Sequence, residues 1–154
     1  MKKYKVLVAS MLAGSGHNSA GDLYYELLKH DKRFEVVRFI SPTKYVDSHY
    51  SKLTKYLPSI YNFFVNHSPT LLSDAVTIYS FRLVDECVEI LRKEKPDILI
   101  GCHYSQFQCF KIAQWVLNVH PLSIETFLDF GEQSAAEVPF NVYLRADYNI
   151  AFDK

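Results

Sequence analysis

Lys5-Val6-Leu7-Val8-Ala9-Ser10, followed by Ala13-Gly14-Ser15-Gly16-His17-Asn18-Ser19-Ala20, is the stretch that decides the fold of this chain. The first segment is a short apolar run. Beyond the second, Ala20, Leu23, Tyr24, Leu27 and Leu28 recur with the spacing of one helix face. A strand, a glycine loop and a helix in that order open a doubly wound α/β domain, with the loop at the carboxyl end of the first strand. Two glycines let the backbone turn tightly and approach a ligand closely. The N–H groups at the start of the new helix favour an anion such as a phosphate. His17 adds a titratable imidazole at that point.

The glycine pattern reads Gly14-x-Gly16-x-x-Ser19, so the third glycine of a dinucleotide fingerprint is missing. The next strand, Phe34-Glu35-Val36-Val37-Arg38-Phe39-Ile40, ends without the acidic residue that holds a ribose. No Walker-type Gly-Lys-Ser/Thr is present. The local sequence therefore leaves two readings open: a ligand-facing loop, or a tight turn with His17 as a polar helix-start residue.

A chain of 154 residues suffices for one domain with a sizeable core. Hydrophobic residues make up 49% and charged residues 22%, an ordinary globular balance. Seventeen basic and 17 acidic side chains cancel, so no global basic field points to nucleic acid, and no nucleic-acid partner is expected. Aromatics are abundant, with 11 Tyr and 11 Phe, and tyrosine suits surfaces that are half apolar and half wet. Cys87, Cys102 and Cys109 form no CxxC pair and read as reduced, mostly buried thiols of a cytoplasmic protein. No apolar run approaches the ~20 residues of a membrane helix. The segment from Met1 to Leu12 mimics a secretory signal but is needed as the first strand.

Patterning predicts strand 5–10, helix 18–30, strand 34–40, helix 74–94, strand 97–102, helix 105–118, strand 123–128 and a last strand near 148–152. Alternating strands and helices give a parallel sheet. The expected organisation is a single domain over 1–154, with an aromatic helical insertion at about 43–72 that is too long for a plain crossover. Tyr45, Tyr50, Tyr56, Tyr61, Phe63 and Phe64 lie there, with Lys44, Lys52 and Lys55 among them. One reading is a pair of core-packing helices. The other is an amphipathic lid, with Lys44, Tyr45, Lys52, Lys55 and Tyr56 forming a membrane or acceptor face that contacts lipid peripherally.

Open α/β sheets bind ligands at the carboxyl ends of their strands. Three such ends carry polar residues: the loop Gly14 to His17, then Gly101-Cys102-His103-Tyr104-Ser105, then Asp129-Phe130-Gly131-Glu132. Two histidines and two carboxylates thus converge on one sheet edge, and His17 or Asp129 suits general-base work on a hydroxyl nucleophile. Gly14, Ser15, Gly16, Asn18, His103 and Tyr104 are the expected substrate-binding residues. No pair has helical metal-ligand spacing, so neither a metal nor another cofactor is expected. No Gly-x-Ser-x-Gly elbow exists for a Ser-His-Asp arrangement.

Several separated segments together resemble one family. The Gly-x-Gly-His-x-x-Ala loop, the long aromatic insertion, Lys95-Pro96-Asp97-Ile98-Leu99-Ile100, Thr126-Phe127-Leu128-Asp129-Phe130 and Ala146-Asp147-Tyr148-Asn149-Ile150-Ala151 resemble the N-terminal domain of monogalactosyldiacylglycerol synthases and processive diacylglycerol glucosyltransferases. The similarity spans essentially the whole chain. It implies a Rossmann-like doubly wound parallel sheet that forms the N-terminal half of a GT-B glycosyltransferase fold, holding the lipid acceptor. A second domain, outside these residues and supplied in cis or in trans, would hold the nucleotide sugar. The resemblance places the general base at His17 and the acidic residue at Asp129. The family's histidine and tryptophan after that aspartate have no counterpart in Gly131-Glu132-Gln133-Ser134-Ala135-Ala136.

The leading expectation is the acceptor-binding half of an inverting glycosyltransferase that moves a hexose from a nucleotide sugar to a diacylglycerol-type lipid and is inactive without its donor-binding domain. The alternatives are a non-catalytic lipid- or partner-binding module, and a small flavodoxin-like or nucleotide-binding protein.

Overall fold

The apolar run at the N-terminus is strand β1 (Tyr4–Met11), the hub of a parallel sheet. The computed structural model describes residues 2–12, 15–41, 59, 83–127 and 146–151. After β1 come α1 (Ser15–Lys29), β2 (Phe34–Ser41), α2 (Val84–Glu94), β3 (Ile98–Gly101), α3 (Tyr104–Leu117), β4 (Leu122–Phe127) and β5 (Tyr148–Ala151). The strands lie in the order β2-β1-β3-β4-β5 and every neighbouring pair is parallel. The chain leaves β1 on one side to form β2 and returns on the other to form β3. The carboxyl ends of β1 and β3 therefore bound the crevice where open sheets of this kind take their ligands.

Strand alternation sends successive side chains of β1 to opposite faces. Val6 and Val8 pack with Ala20, Tyr24 and Leu28 of α1. Leu7, Ala9 and Met11 pack with Cys87 and Leu91 of α2 and with Phe107, Phe110 and Ala113 of α3. Helices thus cover both faces, as expected for a doubly wound, Rossmann-like α/β fold, and β1 reads as a continuous apolar run for that reason. Leu7, Phe107 and Phe110 are completely buried, each stabilising the fold by roughly 1.5–3 kcal/mol.

Two strands, β3 and β5, are fastened at their amino ends in the same way. Asp97, just before β3, donates its backbone N–H to the Lys5 carbonyl (2.8 Å) and accepts the Lys5 N–H on its carboxylate (2.7 Å). Asp147, just before β5, does likewise with Ser123 of β4, at 2.9 and 2.7 Å. A carboxylate at the amino end of one strand thereby sets the register of its neighbour.

Element boundaries differ from the sequence expectation at two helices. α1 begins at Ser15 rather than residue 18, so Gly16, His17 and Asn18 form its first turn. The first N–H groups of a helix need no partner within the helix, so a glycine there is tolerated. The described part of the expected helix 74–94 is α2, with residues 74–82 outside the described residues. The insertion at 43–72 is also outside them, apart from residue 59.

Two backbone positions yield opposite expectations. A Cβ on Gly101 would lie 2.5 Å from Cδ2 and 3.1 Å from Cβ of the buried Phe107, so glycine is what lets α3 pack against the end of β3. Gly101→Ala should destabilise the chain by about 1–3 kcal/mol in urea denaturation, the usual cost of overpacking. Lys95 closes α2 in the left-handed region, at φ 45°, where a Cβ is strained. Lys95→Gly should raise stability by about 1 kcal/mol in the same measurement.

Candidate functional site at the β1–β3 crevice

His17 owes its position to an arginine that sequence patterning did not single out. Arg38 sits in β2 with its side chain 13% exposed and reaches across to the first turns of α1. Its guanidinium donates to Ser10 Oγ (2.6 Å), to the carbonyls of Phe39 (2.9 Å), Val8 (3.3 Å) and Asn18 (3.3 Å), and to the Asp22 carboxylate (3.0 Å). Ser10 in turn donates to Asn18 Oδ1 at 2.5 Å. A largely buried cation is tolerated because its donors are satisfied. The arrangement requires Gly21, since a Cβ there would lie 2.5 Å from Arg38 Nη2. An inward glycine in mid-helix opposite an arginine in an apolar strand was the available sequence signal.

The imidazole of His17 lies over the end of β3. Its Nδ1 is 2.7 Å from the carbonyl oxygen of Cys102. A carbonyl only accepts, so Nδ1 carries the hydrogen and Nε2 is the basic nitrogen of the neutral ring. The ring centroid of His103 is 4.5 Å from that of His17, with the planes tilted by 57°. His103 is the residue before α3, and its Nδ1 lies 3.0 Å from Ser105 Oγ. Ser105 is fully buried and also contacts Met11 Sδ at 3.6 Å. Desolvation in the crevice, reinforced by the adjacent His17, pushes the His103 pKa down to about 3. His103 is therefore a neutral imidazole at physiological pH.

The first turn of α3 is buried and polar. Gln106 is fully buried and donates through Nε2 to the Ser10 carbonyl at 3.0 Å, tying α3 to the end of β1. Tyr104 is buried as well. A Cβ on Gly16 would meet no atom of the described residues within 4 Å. Neither α1 nor α3 has an acidic residue in its first turn, whereas α2 starts with Asp85 and Glu86. The positive dipole ends of α1 and α3 thus have no carboxylate of their own first turn against them.

Of the residues expected at the site, the structure brings His17 and His103 together, with no other described residue against the Cα of Gly16. Asn18 is turned inward, its side chain held by Ser10 and Arg38. Ser15 begins α1. Gly14, Asp129 and the expected lid residues Lys44, Tyr45, Lys52, Lys55 and Tyr56 lie outside the described residues. Glu125, an acidic interruption in an apolar strand, is buried within β4. All three cysteines are buried and none forms a disulfide. Burial pushes the Cys109 thiol up to about 12 and the Cys87 thiol well above its ordinary range, so neither supplies a thiolate. Among the described residues, no group of three His, Cys, Asp or Glu could hold a metal ion, and no helix is long and apolar enough to cross a membrane.

The neutral His103 gives stability a defined pH dependence. In the unfolded chain it takes a proton near 6.5; in the folded chain it resists until about 3. Between those values the unfolded state binds the extra proton. Stability from this group is complete above pH 6.5 and declines as pH falls, by at most about 1.4 kcal/mol per pH unit. Urea denaturation at pH 7 and pH 5 should show a loss of about 2 kcal/mol from this residue, absent in His103→Asn.

In comparisons with protein-family models, with curated proteins and with solved structures, nothing matches this chain. The chemistry of the crevice therefore rests on its own residues.

Proposed function

We propose that the β1–β3 crevice is the acceptor-binding half of an inverting glycosyltransferase, transferring a hexose from a nucleotide sugar to a diacylglycerol-type lipid, with the donor-binding domain of a GT-B enzyme supplied in cis or in trans. The observation that carries this reading is the hydrogen bond from His17 Nδ1 to the Cys102 carbonyl. It leaves Nε2 as a base, at the strand ends where a doubly wound sheet takes its ligand. In the reaction, Nε2 accepts the proton of the acceptor hydroxyl as its oxygen attacks the anomeric carbon. The anomeric carbon–phosphate oxygen bond breaks on the opposite face, and the nucleoside diphosphate leaves with the electron pair. The helix starts of α1 and α3 favour that negative charge. Asp129, Lys44, Tyr45, Lys52, Lys55 and Tyr56 enter as proposed partners of this reaction and of peripheral membrane contact.

Two measurements test the reading. The chain should bind vesicles of anionic phospholipid containing diacylglycerol, more weakly as salt rises, and Lys44→Gln, Lys52→Gln and Lys55→Gln combined should weaken binding. It should show no sugar transfer alone, because one wall of a cleft completes neither positioning nor charge stabilisation. With its donor-binding domain, transfer should appear, and His17→Ala should lower turnover about 10²-fold or more without unfolding the chain. Vesicle binding without transfer under any pairing would instead identify a lipid-binding module. No vesicle binding at low salt would remove the lipid acceptor.

A further inference from the structure

The geometry assigns His103 a role beyond lining the crevice, one that rests on reading His17 as a base. Three observations meet at this residue. Its ring packs against His17 at a centroid distance of 4.5 Å. Its Nδ1 is held by Ser105 Oγ at 3.0 Å. Ser105 and Met11, which Ser105 also contacts, are both fully buried, so this anchor has no room to drift. We propose that His103 is the positioning residue of His17: anchored through Ser105, it holds the His17 ring on the Cys102 carbonyl and so keeps Nε2 as the basic nitrogen.

The hold follows from packing at contact distance. Cys102 presents its carbonyl to His17 and is followed directly by His103, so the acceptor of the His17 hydrogen and the ring packed on His17 belong to one short stretch at the start of α3. With the ring kept from turning, Nδ1 stays on the carbonyl and the other nitrogen faces away from it. Ser105 fixes the orientation of the pair, and its hydroxyl is a partner an alanine cannot replace.

Side-chain ¹⁵N–¹H NMR of the imidazoles in the wild-type chain tests this without substrate or donor domain, so it can fail independently of glycosyl transfer. Above pH 7.5, His17 should be the Nδ1–H tautomer. In Ser105→Ala, checked for folding by its amide spectrum, His17 should shift to a mixture of both tautomers; His103→Gln should do the same by a different route. An unchanged Nδ1–H tautomer of His17 in both variants would overturn the proposal, and so would the Nε2–H tautomer in the wild type.

Discussion

β1 is buried on both faces and paired on both edges, and the rest of the domain is arranged around that constraint. A strand with helices above and below it must be apolar throughout, as Val6 to Ala9 are. Its parallel neighbours can be reached only by crossovers, so α1 covers one face while α2 and α3 cover the other. The opposite directions of those crossovers open the crevice between the ends of β1 and β3. The location of the candidate site is thus a consequence of how the core is closed.

Closing the core leaves the first turn of α1 at the sheet edge, where polar backbone must be held in place. Arg38 does this from β2. It joins β1 through Ser10 and Val8, and α1 through Asn18 and Asp22, in one network of charge-assisted hydrogen bonds. Gly21 is the concession α1 makes to that network, giving up helix propensity so that the guanidinium can pass. On the other side of the crevice, Gly101 lets Phe107 bring α3 close, and Gln106 fastens α3 to Ser10. Ser10 is therefore common to both sides: its hydroxyl serves α1 and its carbonyl serves α3. The two histidines meet because both helix starts are tied to the same residue of β1.

The chemistry of the crevice follows from which groups face each other there. A carbonyl at the end of β3 fixes the tautomer of His17, and the enclosed position of His103 keeps it uncharged. Burial holds the thiols of Cys87 and Cys109 protonated. Among the described residues, the crevice presents the His17 imidazole at the starts of two helices that favour anions, and the proposed transfer to a hydroxyl nucleophile rests on that arrangement.

The sequence by itself determined the elements and their class. The unbroken apolar runs at Val6–Ala9 and Ile98–Ile100 and the helical spacing of Ala20, Tyr24 and Leu28 are local properties, and each dictates what must be buried: both faces of the strands, one face of the helix. They also placed His17 and His103 at strand ends on a common edge. Only the tertiary structure decided how those residues are used. That His17 turns to the carbonyl of Cys102, that Asn18 faces inward, and that Arg38 spans three elements are contacts between residues separated by up to 85 positions. The start of α1 at Ser15 was hidden for a related reason. Glycine and serine suit a loop and a helix's first turn equally well, and the contacts of α1 with β1 and β2 decide between them. Periodicity records which side of an element is buried, but not which polar groups meet once the elements pack.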